Sequence, residues 1–249
     1  MDAALKLINP YEIRARTLPG MLLVAPLILL AVGLVPTPHS FSALPVVAVC
    51  WLVVGYGVGQ WMRDRAEPKQ AGLFAAWGGA PTTQFLRWSH PRFLEKEKLH
   101  ARNSVLRLGD YQWLDVQQTA ADPIAADEHL QVLVSAILAD ARHHPERYER
   151  MDRANAHYGF QRNCFYTRDT ASLIAVLVAV ASGVGATLRD LGLSWPTLMC
   201  VSGASLTLLL YWRFAVTMEA LRTSADSFAV ELFRHIPAFV DYRKVTIAS

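Results

Sequence analysis

Four charge-free apolar runs constrain this chain more than any other feature: Leu18–Val35, Phe41–Trp61, Ala171–Leu188 and Leu191–Trp212. A helix needs about 20 apolar residues to cross the hydrocarbon core of a bilayer, and all four runs fall near that length. None carries the polar stripe that a soluble core helix shows at every turn. The reading is therefore an all-α protein: a four-helix transmembrane bundle with a helical cytoplasmic domain. Lys6, Arg14 and Arg16 precede the first run, as in a signal peptide. That run exceeds the roughly 7–15 apolar residues of such a peptide, and a second run follows almost at once, so a retained hairpin is expected.

The division that follows is an N-terminal segment and hairpin over 1–61 (spans about 18–35 and 41–61), a cytoplasmic helical domain over 62–170, a second hairpin over 171–212 (spans about 171–188 and 191–212) and an amphipathic cytoplasmic tail over 213–249. Charged residues are 18% of the 249, below the roughly 25% of soluble domains, and they are segregated into the polar segments. Basic residues flank the cytoplasmic ends of spans. Arg14 and Arg16, then Arg63, Arg65 and Lys69, then Arg162 and Arg168, then Arg213, Arg222, Arg234, Arg243 and Lys244 all fall on one side. The loop Pro36–Ser40 has no Lys or Arg, and the third span is followed only by Arg189 beside Asp190. Both termini and 62–170 are thus expected in the cytoplasm. The net charge of +3 is then accounted for by topology and by attraction to anionic lipid, not by nucleic acid.

The polar segments read as helices punctuated by Pro and Gly. Ser89-His90-Pro91 opens one that runs to about Leu108 and stops at Gly109. Asp122-Pro123 pairs an N-cap acceptor with proline at the first helical position, followed by an apolar face of Leu130, Leu133, Val134, Ile137, Leu138 and Ala141. His144-Pro145 breaks that helix, and the next runs to about His157 and stops at Gly159. Beyond the fourth span, Met218, Leu221, Ala225, Phe228, Ala229, Leu232 and Phe233 share one stripe, so span four is expected to continue as an amphipathic helix to Pro237. That stripe must bury itself against the middle segment or against other subunits.

Two short stretches carry the ligand-binding candidates. In the first, Gly78 and Gly79 allow close backbone approach to an anion, Thr82 and Thr83 offer hydroxyls, Arg87 a planar fork and Trp77 a stacking face. No Gly-Lys-Ser/Thr follows, so this is not a Walker loop. The plainer alternative is a tight turn in which Thr82 caps a short helix. In the second, Tyr158 offers a stacking face and Arg162 and Asn163 polar contacts. The alternative there is a helix end at Gly159 followed by interfacial anchors. Cys50, Cys164 and Cys200 form no C-x-x-C pair, His143 and His144 are adjacent and share no helix face, and no Gly-x-Ser-x-Gly elbow occurs. The alternating charges at Glu95, Lys96, Glu97 and Lys98 read as a solvated face. No cofactor, metal or catalytic residue is expected. Small residues in the spans, Gly55-x-x-x-Gly59 foremost, allow close helix contact within or between chains.

The motifs Trp77-Gly78-Gly79-x-Pro81-Thr82-Thr83 and Tyr158-Gly159-Phe160-x-Arg162-Asn163 resemble those of bacterial four-span membrane proteins, and the layout is similar to membrane effectors of nucleotide-signalling phage defence. That resemblance implies a homo-oligomer in the bacterial inner membrane, an anionic or nucleotide ligand, and a cytoplasmic domain that gates or disrupts the bilayer. A membrane scaffold for a cytoplasmic protein partner, or a membrane-tethered enzyme, is the other reading.

Overall fold

The computed structural model describes residues 10–34, 44–187 and 194–241. Lys6, the loop Pro36–Ser40, the pair Arg189–Asp190, and Arg243 with Lys244 lie outside the described residues. Within them all regular structure is helical. In chain order the helices are α1 (Leu18–Leu34, preceded by a wide π-helical turn over Ile13–Thr17), α2 (Leu44–Ala66), α3 (Gln70–Ala76), α4 (Pro81–Leu86), α5 (Glu95–Leu106), α6 (Val116–Ala121), α7 (Pro123–His143), α8 (Glu149–Thr187), α9 (Trp195–Leu210) and α10 (Met218–Arg234). Four stretches are long and apolar enough to cross a membrane: Ile13–Leu34, Pro45–Leu86, Glu149–Thr187 and Trp195–Ala215. The chain forms two units, Met1–Lys69 with Ala156–Arg222, and Gln70–Asn155 with Thr223–Ser249.

The first unit holds the apolar helices, and small residues set how closely they pack. A Cβ placed on Gly20 would strike the carbonyl of Gly55, one on Gly55 would strike Met21, and one on Gly59 would strike the carbonyl of Arg16. The backbones of α1 and α2 therefore touch, which is what a Gly-x-x-x-Gly face permits. Gly33 of α1 lies against Val201 and Thr197 of α9, and Gly185 of α8 against Leu198. The Ser202 hydroxyl donates to the Ala179 carbonyl at 2.9 Å, tying α9 to α8. Leu23, Val24, Met62, Cys164, Ala171 and Trp212 close the core. Outward, Val46, Val49, Leu52 and Val53 of α2 and Leu173, Leu177 and Val180 of α8 are exposed. A continuous apolar exterior is unfavourable in water and suits hydrocarbon.

One end of this unit is basic and aromatic. Arg65 lies over Trp61 (5.4 Å), Lys69 over Tyr166 (5.2 Å) and Arg168 over Phe165 (5.0 Å). The Tyr166 hydroxyl donates to the Lys69 carbonyl, and Asp169 lies near both Arg168 and Arg213. Such a belt of paired cations and rings matches the headgroup layer.

Two sequence expectations are corrected. No helix stops at Gly159: α8 is one helix of 39 residues. The glycine is a packing seat, where an added Cβ would lie 3.1 Å from that of Ala15. Nor does span four run on unbroken. A π-helical turn over Tyr211–Ala215 ends it, Val216 leaves helical geometry (φ −90°, ψ 82°), and α10 restarts at Met218. The Thr217 hydroxyl caps the new helix by accepting from the Ala220 N–H at 3.1 Å. A smaller difference lies at Ser89-His90-Pro91, which is irregular; α5 begins only at Glu95 and ends at Leu106, before Gly109 (φ 78°).

In the second unit Asp122 caps α7 as its sequence implies, accepting from the Ala125 N–H at 3.0 Å. Leu130, Leu133, Val134 and Ile137 are buried. The later part of the α10 stripe packs within this unit: Ala229 and its neighbour Val230 pack with Phe85, and Phe233 stacks on Phe93 at 3.8 Å. Met218, the first residue of the stripe, is exposed and belongs to the first unit. The Tyr148 hydroxyl donates to the buried Asp140 carboxylate.

Candidate functional site

The glycine pair that made the first motif an anion candidate is a helix C-cap. The Gly79 N–H donates to the Phe74 carbonyl (2.8 Å) and the Gly78 N–H to the Ala75 carbonyl (3.1 Å), closing α3 in a Schellman motif. Gly78 (φ 80°) and Gly79 (φ 125°) adopt backbone geometry that side chains disfavour. With both amides spent on the helix end, the turn has no bare N–H pair to offer an anion. Its carbonyls are held too: Gln84 Nε2 donates to those of Trp77 and Gly79, and Arg87 Nη1 to that of Gly78 (3.0 Å). Ala80, not Thr82, occupies the N-cap position of α4, with Pro81 opening the helix and Thr83 buried.

Arg87 leads to an open cavity of this unit. Its Nε and Nη2 donate to the two carboxylate oxygens of Asp127, at 2.8 and 2.5 Å. The pair walls a cavity of about 430 Å³, together with Trp88, Ser89, Trp113, Leu114, Thr119, Pro123, Ala126 and Leu130. The indoles of Trp88 and Trp113 lie 6.2 Å apart, tilted by 44°. Both come from irregular segments, and α5 holds both segments in place. Lys98, only 1% exposed, donates to the carbonyls of Arg87 (2.8 Å), Trp88 (3.2 Å) and His90. One turn on, Arg102 Nε donates to the Trp113 carbonyl at 2.7 Å. Trp88 Nε1 links the segments directly by donating to the Leu114 carbonyl at 2.8 Å. The solvated face read at Glu95–Lys98 thus fails at Lys98. Burial pulls that ammonium below the ordinary lysine pKa, opposed by the charge of Glu95.

The second motif lies in the other unit and serves packing. Pro19 has no N–H, so the carbonyl four residues before it lacks its regular i to i−4 donor. The Asn163 amide donates to that carbonyl, of Ala15, at 2.8 Å. Asn163 is 1% exposed, and its own carbonyl accepts from the Thr167 hydroxyl. Tyr158 is buried. The first motif therefore contributes Arg87 to the cavity wall and Trp77, Gly78 and Gly79 to the turn behind it. Tyr158, Arg162 and Asn163 belong to a different unit. Sequence reasoning missed Trp88, Trp113, Lys98, Arg102 and Asp127. The readable signal was the i, i+4 spacing of Lys98 and Arg102 on a helix beside two tryptophan-bearing loops.

Among the described residues no three His, Cys, Asp or Glu side chains gather as metal ligands would. The fold and this cavity define an all-helical, four-span membrane protein with a separate polar helical unit. No family model, curated protein or solved structure matches the chain.

Proposed function

We propose that the chain is a signal-responsive effector of the bacterial inner membrane, assembled as a homo-oligomer, with both termini and the polar unit in the cytoplasm. In this reading the polar unit takes the signal and changes the packing of the four spans, so that the bilayer leaks ions. No catalytic step is assigned.

The supporting observation is the link between span four and α10. Only Val216 and Thr217 separate the π-helical turn over Tyr211–Ala215 from α10, whose Ala229, Val230 and Phe233 lie in the apolar core of the polar unit. A shift of that core has two residues in which to dissipate before it reaches span four, and the unbroken α8 also runs from the polar unit into span three. Chains of packed side chains and rigid helices are the physical route by which a local packing change is felt at a distance.

Challenge with a panel of bacteriophages, read with a potential-sensitive dye, tests the proposal. Wild-type cells are expected to depolarise and stop growing during infection, and cells with Phe228→Asp, which places a charge in the buried stripe, to behave like cells lacking the gene. No depolarisation and no growth arrest under any challenge would remove the effector reading. A scaffold would then be the better account, favoured by the exposed Leu94 (71%) and Ile124 (75%) of the polar unit, which a partner protein could cover.

A further inference from the structure

We infer that the cavity between Trp88, Trp113 and the Arg87–Asp127 pair binds an uncharged, planar heteroaromatic group of the nucleobase class, and not an isolated phosphate. The inference deepens the reading of the polar unit as the signal-taking part, and rests on it only for its biological meaning.

Electrostatics decide against the anion. Arg87 is the cavity's cation, and Asp127 neutralises it in a two-pronged ion pair. Lys98 is turned away, its ammonium consumed by three backbone carbonyls. An entering phosphate would meet no net positive charge, and would approach the Asp127 carboxylate. The same pair suits a neutral ring with mixed edges. Each Asp127 oxygen accepts one N–H from Arg87 and keeps a second lone pair for a ligand donor. Arg87 has five N–H groups, of which three are used on Asp127 and Gly78, leaving two for a ligand acceptor. A donor and an acceptor side by side on a flat ring match that edge, and nucleobases carry them there.

The remaining walls fit the same shape. The half-buried Trp88 supplies a face for stacking, which is strong and tolerant of ring identity, and Trp113, only 2% exposed, backs it from behind. Leu114, Pro123, Ala126 and Leu130 supply apolar contact, and a cavity of about 430 Å³ lies in the range of small-molecule sites. The walls are also held before any ligand arrives. Burying a lysine is costly, yet Lys98 is buried and bonds only irregular backbone, with Arg102 repeating the device one turn on. Rigid walls on loops are what a binding cavity needs and what a mere loop does not.

Titration calorimetry of the full-length protein in detergent tests the inference, with guanosine, adenosine and inorganic pyrophosphate as probes. At least one nucleoside is expected to bind with Kd below ~1 mM, and pyrophosphate to give no heat. Asp127→Asn should weaken nucleoside binding about ten-fold, the effect of losing one charge-assisted contact. Thr119→Trp fills the cavity without removing a side-chain bond and should abolish binding, so loss of fold in the first variant leaves the second to decide. No heat from either nucleoside, pyrophosphate binding as tightly as a nucleoside, or nucleoside binding untouched by Thr119→Trp would overturn it. The readout involves no membrane, so nucleoside binding without depolarisation would leave the site standing and remove only the effector reading.

Discussion

Single residues carry unequal weight in this molecule, and the glycines show it most plainly. Gly59 lies against the backbone of Arg16 and Thr17, whereas an added Cβ on Gly57, two residues away on the same helix, meets nothing within 4 Å. Gly59→Leu should therefore abolish the monodisperse species in detergent sizing, since overpacking a backbone contact costs about 1–3 kcal/mol or more. Gly57→Leu should elute like wild type. Equal behaviour of the two would mean that α1 and α2 do not meet through this face. Lys98 is the residue of the polar unit most exposed to a similar test. Lys98→Met keeps the length and removes the donor to three carbonyls, each costing about 1–3 kcal/mol when buried unsatisfied. Thermal unfolding should show a drop of several degrees, largely restored in Lys98→Arg if a cation is what the loop needs. The sequence could not show this lysine's role, because Glu95-Lys96-Glu97-Lys98 has the composition of a wet surface. Its burial depends on where the backbone of 87–90 travels, which no local pattern states.

At the scale of elements, what was legible followed from local rules and what was not depended on neighbours. The apolar runs, the Asp122 cap, the break at His144-Pro145 and the stripe of α10 are consequences of length, capping and periodicity, and each is present. The helix end read at Gly159 is absent because a glycine marks either a stop or a close approach, and the sequence near it does not distinguish them. Here Ala15 of another helix takes the space. The break at Val216 was hidden for the opposite reason: no Pro or Gly stands there, and a π-helical turn has no compositional signature. The other π-helical turn does carry a signal: Pro19 and Gly20 follow it directly, and Pro19 lacks the N–H that would reach the Ala15 carbonyl, which Asn163 bonds instead. Asn163→Leu should cost about 1–3 kcal/mol by orphaning the Ala15 carbonyl and be visible as a lower melting temperature in detergent. An unchanged melting temperature would show that water or another donor replaces the amide. The glycine pair at 78–79 was legible as a conformational need, and its use as a Schellman cap explains why it occurs without any phosphate to bind.

For the whole molecule, the four spans follow from composition alone, while the cavity required tertiary structure: its walls come from positions 87–89, 113–119 and 123–130. Two connections join the polar unit to the spans, the unbroken α8 and the Val216–Thr217 link, and the proposed coupling runs through the second. A flexible Gly-Ser insert after Thr217 should therefore leave nucleoside binding intact and remove depolarisation, read in the same cells by dye and in purified protein by calorimetry. Depolarisation that survives the insert would place the coupling elsewhere. All of this needs the polar unit and the basic, aromatic belt on the cytoplasmic side, the arrangement that the positive residues favour. The measurement that addresses it most directly is labelling of single cysteines by a membrane-impermeant maleimide in intact cells, with Cys50, Cys164 and Cys200 replaced. Ser40→Cys, between spans one and two, should be labelled from outside, and Ala121→Cys only after the cells are permeabilised. Labelling of Ala121→Cys in intact cells, with Ser40→Cys protected, would contradict the account.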